Sequence, residues 1–333
     1  MRICIVGAGA IGGLLGARLA LAGNDVSLIA RGPHLEAIAR DGLRLIGEDG
    51  ISQVARPTCA TDSLALAGRQ DLVILAMKAH QVADVAPQLH LLLDADTRIV
   101  TMQNGIPWWY FHRLAGPWQG TVLHSLDPDG SLARHIPAER LIGSVVYPAS
   151  EVVRPGVIQV IEGNRFSLGE PDGSESDAVR MVSAAFKAAG LRAPVTKDIR
   201  SEIWLKVWGN LSFNPISALT HATLEDICRH EPTRALAAAM MTEAQTIGEK
   251  LGVRFKVSLD KRIAGAQAVG AHKTSMLQDV EQGRRLELQA LVGSVMELGR
   301  ITDTPTPAID AVWALVSLLA QQLQTLGARL RMT

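Results

Sequence analysis

Short apolar runs alternate with stretches of helical period through the first two hundred or so residues, and helical periods alone fill the remainder. Residues 2–6, "RICIV", predict a buried strand, 10–22 a helix, and Gly23-Asn24 its stop. A strand follows over 25–30, then a hairpin over 43–55 that turns at Asp49-Gly50. The run 71–77, "DLVILAM", is apolar throughout, as a parallel sheet covered on both faces requires. A helix over about 80–92 and a strand over 97–102 come next, with shorter strands around 121–125, 141–147, 157–161 and 165–169. A helix over about 174–189 ends at Gly190. Beyond Ser201 the periods predict helices over 201–213, 222–228, 231–251, 258–270, 274–299 and 308–327. The expected fold is an α/β N-terminal domain with a mainly parallel sheet, residues 1–197, and an all-α C-terminal domain, residues 198–333, meeting near Thr196–Arg200.

Composition narrows the partners. Lys+Arg and Asp+Glu both number 33, so no global field draws the chain to nucleic acid or to a membrane surface, and an anionic ligand must be met by a few placed cations. Cys4, Cys59 and Cys228 are scattered, which argues against a disulfide framework or a zinc site and for a reducing cytoplasm; no metal is expected. The opening "MRICIVGAGAIGGLLGARLALAG" imitates a secretory signal, but "RICIV" is strand-like and matched to the glycine spacing after it. No apolar stretch reaches the ~18–20 residues of a membrane span, and "AVWALVSLLAQQLQTL" is broken by glutamines. A soluble, cytoplasmic protein is the expectation.

Gly7-Ala8-Gly9-Ala10-Ile11-Gly12 stands between the first strand and the first helix, the setting in which G-x-G-x-x-G binds a dinucleotide. Its first glycine permits the tight turn, the second lets backbone approach a pyrophosphate, and the third packs helix on strand. The α/β half is therefore expected to be Rossmann-type. Where NAD enzymes place an acid after the second strand, this chain has Ala30-Arg31-Gly32. A guanidinium suits a ribose 2′-phosphate that a carboxylate would repel, so NADP (NADPH) is the expected cofactor. A solvated loop arginine is the plain alternative. Lys78 in "MKAHQ" and Asn104 in "MQNGI" also lie at strand ends, where open α/β sheets bind ligands. An exposed lysine and an Asn-Gly turn are their ordinary readings.

In the helical half, "SEIWLKVWGNLSFNPISAL" puts Lys206, Asn210 and Asn214 at i, i+4 and i+8 on one face of a largely apolar helix. A lysine so placed is desolvated, its pKa falls, and it becomes a proton donor near neutrality. Pro215 is expected to kink or end that helix. An amphipathic helix with a wet face is the alternative. "KTSMLQDVEQGRRLELQALVG" is expected as one long helix with Ser275 and Glu287 roughly on one face, otherwise ordinary surface charges.

Together these stretches resemble ketopantoate reductase, the NADPH-dependent 2-dehydropantoate 2-reductase family, along the whole chain. "GAGAIG" is shared by many families; "EIWLKVWGNLSFNPISALT" with "TSMLQD" and "RRLEL" is far more specific. The resemblance implies a small anionic 2-oxo acid substrate and pantothenate synthesis. It makes Lys206 the general acid and gives Glu287 a catalytic role with contact to the cofactor ribose. Asn210, Asn214 and Ser275 hold substrate, and Asn104 sits at the nicotinamide side. A homodimer is the candidate assembly. Gln289 and Val292 stand where family members often carry an acid and an amide, and His272 where an asparagine is common; these departures bear on the substrate more than on the reaction. The alternatives are a reductase of another small 2-oxo acid and a non-catalytic NADP-binding redox sensor, which would need neither Lys206 nor Glu287.

Overall fold

The computed structural model describes residues 1–326, in two compact units. The first comprises Met1–Gln103, Trp108–Val122 and Asp127–Ile199. The second begins at Arg200 and also takes in Asn104–Pro107 and Leu123–Leu126.

The first unit starts with β1 (Arg2–Val6), α1 (Ala10–Leu21), β2 (Asp25–Ile29) and α2 (Gly32–Asp41). The hairpin β3 (Leu43–Ile46) and β4 (Ser52–Ala55) follows, then β5 (Cys59–Thr61), α3 (Leu64–Ala67) and β6 (Gln70–Leu75). After α4 (Val82–Val85) come β7 (Leu93–Thr101), α5 (Ser131–His135), β8 (Leu141–Val146), β9 (Ala149–Arg154), β10 (Val157–Glu162), β11 (Phe166–Gly169) and α6 (Asp177–Ala188). Among the described residues, seven strands form one sheet in the order β11-β8-β7-β6-β1-β2-β5, parallel except for the edge strand β11. Ile3, Ile5, Leu28, Leu72, Ile74 and Val100 are fully buried, which is why these strands read as continuous apolar runs. A smaller sheet, β4-β3-β10-β9, packs on α1, where Gly13 makes room for Ile158: a Cβ there would lie 2.8 Å from Cδ1 of that isoleucine.

The second unit is built around α7 (Ile199–Thr220), with α8 (Leu224–Arg229), α9 (Glu231–Lys250), α10 (Leu259–Ala268), α11 (Ser275–Glu281), a π-helical turn Gln289–Gly293, α12 (Ser294–Ile301) and α13 (Pro307–Leu326). Trp204 and Trp208 of α7 are wholly buried against Phe255, and the Trp208 indole N–H donates to Met241 O at 2.7 Å. Each such tryptophan is worth about 3–5 kcal/mol by truncation to alanine.

Several expectations change. No strand forms over 121–125, because the His124 and Ser125 amides donate to the Glu297 carboxylate, each at 2.8 Å, instead of to a neighbouring strand. The helix expected over 80–92 is a series of 3-10 and α turns; Pro87 lacks the donor a regular helix needs there. Pro215 does not end α7, which runs on to Thr220. Leu211 through Ala218 are all buried, and that packing outweighs one lost backbone bond. The single helix over 274–299 is two. Gly283, at φ +63°, closes α11 as its N–H donates to Val280 O and the Arg284 N–H to Asp279 O, a Schellman closure. Ser275 and Glu287 therefore lie on different elements rather than on one helical face. The helix expected over 308–327 is α13; Gly327 lies outside the described residues.

Candidate functional site

In the first unit, the loop Gly7–Gly12 joins β1 to α1. Gly7 has φ +100°, and a Cβ there would lie 2.9 Å from Met77 N; at Gly12 it would lie 2.1 Å from Gly7 O. Both positions exclude any side chain. At exposed Gly9, by contrast, a Cβ would meet nothing within 4 Å. Gly9 caps α1 without a side-chain acceptor, so no side chain at the cap satisfies the first-turn amides, which a helix leaves unpaired internally. The Gly7 and Ala8 amides donate to Ile29 O at 3.2 and 2.9 Å, which ties the loop to the end of β2. A helix N-terminus open in this way suits an anion, and the bare Gly9 lets an extended diphosphate approach the backbone.

Arg31 is exposed at the end of β2 and occupies the N-cap position of α2. Lys78 is half-buried beyond the end of β6, at the start of a 3-10 turn. Because β1, β2 and β6 run parallel, the glycine loop, Arg31 and Lys78 all follow carboxyl ends of the same sheet. Among the described residues no group of three or more His, Cys, Asp or Glu is arranged to hold a metal ion.

In the second unit, Lys206, Asn210 and Asn214 share one face of α7, the lysine and Asn210 half-buried and Asn214 buried. Loss of hydration pulls the Lys206 pKa down to about 8, while the negative charge of Glu287 opposes the fall. Glu287 lies just before the π-helical turn. That turn frees the Ala290 carbonyl from a regular ladder, and the Ile106 N–H donates to it at 2.8 Å. Asn104 is thus carried on a segment fastened three residues beyond Glu287. Gly105 makes the approach possible: its φ is +92°, and a Cβ would sit 2.1 Å from Ala290 O. Ser275 is exposed at the first position of α11, after the N-cap Thr274. Of the departures from the family pattern, Val292 is fully buried inside the π turn, Gln289 is exposed on it, and His272 accepts the Leu224 N–H at its carbonyl. A half-buried ammonium with a pKa near 8, on one helical face with two amides, is equipped to give a proton to an oxygen at neutral pH.

Sequence reasoning did not single out Gly105, Gln103 or Glu297. Gln103 Nε2 donates to Leu75 O and Met77 O at 2.8 and 3.1 Å, pinning the end of β7 to that of β6. The Asn-Gly pair was the available signal for Gly105; nothing local marks Glu297, whose partners are 172 and 173 residues away.

The chain matches the family model "Ketopantoate reductase PanE/ApbA" over residues 3–173 and "Ketopantoate reductase PanE/ApbA C terminal" over 198–320. A curated relative from Mesorhizobium japonicum, named 2-dehydropantoate 2-reductase, is 58% identical over 321 residues, which are 96% of this chain and 98% of that protein. The solved structure of a Ralstonia solanacearum protein assigned as a ketopantoate reductase superposes with a TM-score of 0.92 at 43% identity, covering 96% of this chain and 98% of that one. The structure of the Methylococcus capsulatus 2-dehydropantoate 2-reductase gives 0.82 at 28% identity, covering 97% and 98%. No helix among the described residues is long and apolar enough to cross a membrane.

Proposed function

The chain belongs to the ketopantoate reductase family, oxidoreductases acting on CH–OH groups, and from that premise we propose that it reduces 2-dehydropantoate to pantoate with NADPH, in pantothenate and coenzyme A synthesis. The observation that carries the reading is Lys206, a lysine brought to a pKa of about 8 by desolvation beside Glu287 and in line with Asn210 and Asn214.

The open loop at Gly9 fits a dinucleotide pyrophosphate. Gly7, Ala8, Gly9, Ala10, Ile11 and Gly12 would line it, Arg31 would meet the 2′-phosphate, and Lys78 would add positive charge. When bound, the reduced nicotinamide supplies a hydride to C2 of the 2-oxo acid. Lys206 Nζ gives its proton to the C2 oxygen as negative charge grows there, and the neutral amine is recharged from solvent. Asn210, Asn214 and Ser275 hold the substrate's carboxylate and hydroxyl. Asn104 orients substrate on the nicotinamide side. Glu287 keeps Lys206 protonated near neutral pH and would accept a hydrogen bond from the cofactor ribose.

The test is NADPH oxidation across a panel of branched and linear 2-oxo acids. The highest kcat/KM is expected with 2-dehydropantoate, and Lys206→Ala is expected to lose about 10²–10⁴-fold with NADPH binding retained. A different 2-oxo acid at the head of the panel would replace the substrate; intact turnover in the Lys206 variant would remove the lysine as acid.

A further inference from the structure

His34, in the first turn of α2, engages both ring nitrogens. Gly156 N, in the turn between β9 and β10, lies 3.0 Å from Nδ1, and Ala8 O lies 2.9 Å from Nε2. A backbone N–H can only donate, so Nδ1 is the acceptor, and the ring proton resides on Nε2 and is donated to Ala8 O. The turn is held close for this contact: Gly156 has φ +74°, and a Cβ there would lie 2.9 Å from the Ala37 Cβ.

Ala8 is the residue between the first two glycines of the loop. In a planar trans peptide the carbonyl and the following N–H point in opposite directions. Holding Ala8 O toward His34 therefore turns the Gly9 amide away from α2. The two preceding amides, Gly7 and Ala8, are already committed to Ile29 O. The loop is thus fixed from both sides, with β2 taking its amides and α2 its carbonyl, and exposed Gly9 has open space in front of it.

We propose that His34 is a positioning residue for the cofactor: through Ala8 O it fixes the Ala8–Gly9 peptide so that the Gly9 amide is presented to a pyrophosphate. The inference rests on the dinucleotide reading of the loop. It predicts that His34 matters for ligands with a pyrophosphate and not for those without one.

Two substitutions separate the two ring contacts. In His34→Asn the amide oxygen stands near Nδ1 and serves Gly156, and the contact to Ala8 is lost. In His34→Gln the amide nitrogen stands near Nε2 and still donates to Ala8. Dissociation constants are measured by calorimetry for NADPH and for adenosine 2′-monophosphate, which has the ribose phosphate but no pyrophosphate, with thermal denaturation of each variant alongside. His34→Asn is expected to weaken NADPH about tenfold and leave the monophosphate unchanged, and His34→Gln to restore most of the NADPH affinity. Equal NADPH binding in His34→Asn and the unsubstituted chain, equal loss for both ligands, or better rescue by Asn than by Gln would overturn it. So would failure of both variants to fold, which would make His34 a structural latch only. Absence of NADPH binding by the unsubstituted chain would instead defeat the dinucleotide reading, and this inference with it.

Discussion

Lys206→Met is expected to stabilise the protein while abolishing turnover. The lysine's pKa falls from an ordinary 10.5 to about 8 because burial removes water from the ammonium, with Glu287 only partly compensating. At about 1.36 kcal/mol per pKa unit, that difference withholds roughly 3 kcal/mol from the folded state wherever the lysine is charged in both states. The unfolded chain binds the proton more tightly, so the penalty is fully present below pH 8. It declines as pH rises from about 8 and is gone above about 10.5. A methionine of similar length removes the penalty, and Glu287, left without the opposing charge, takes back a part. The expected gain at pH 7 is therefore about 1–3 kcal/mol. Urea denaturation of both proteins at pH 7 and pH 10 reads it, through the midpoint at constant slope. A variant no more stable than the parent at pH 7, or a gap that fails to narrow by pH 10, would refute the desolvation argument.

The same lysine sets the pH profile: kcat/KM for NADPH oxidation should fall as pH rises through about 8, and Glu287→Gln, which removes the charge that raises the Lys206 pKa, should move that limb to lower pH. An unmoved limb would show that Glu287 does not act on the lysine. Arg31→Ala should weaken NADPH by about 10–100-fold and leave NADH little affected; equal losses in a side-by-side titration would defeat the 2′-phosphate role. Gly105→Ala forces a Cβ to 2.1 Å from Ala290 O at φ +92°, a strain of about 1–3 kcal/mol before the clash is counted. It should lower the melting temperature and raise KM for the 2-oxo acid more than the Kd for NADPH; an unchanged melting temperature would contradict the packing at Ala290.

What one stretch of chain decides for itself was legible. The strand–glycine–helix unit over 2–22 follows from "RICIV", the G-x-G-x-x-G spacing and the Gly23 stop, all local. The face shared by Lys206, Asn210 and Asn214 follows from helical geometry alone. Pro215 marks where local reasoning ends, since its cost is visible in the sequence and the burial of Leu211–Ala218 that outweighs it is not. The break at Gly283 is hidden from local reasoning for the converse reason: good helix formers on both sides mask a glycine whose left-handed closure ends α11. Tertiary structure alone decided the remainder. The charge of Glu287 reaches Lys206 across 81 positions, Ala290 O takes the amide of Ile106, and His34 joins Ala8 to Gly156. Each depends on a carbonyl, a ring nitrogen or a charge whose partner is remote along the chain, and periodicity and propensity, being sums over neighbours, carry no information about partners that only the packed chain brings within reach.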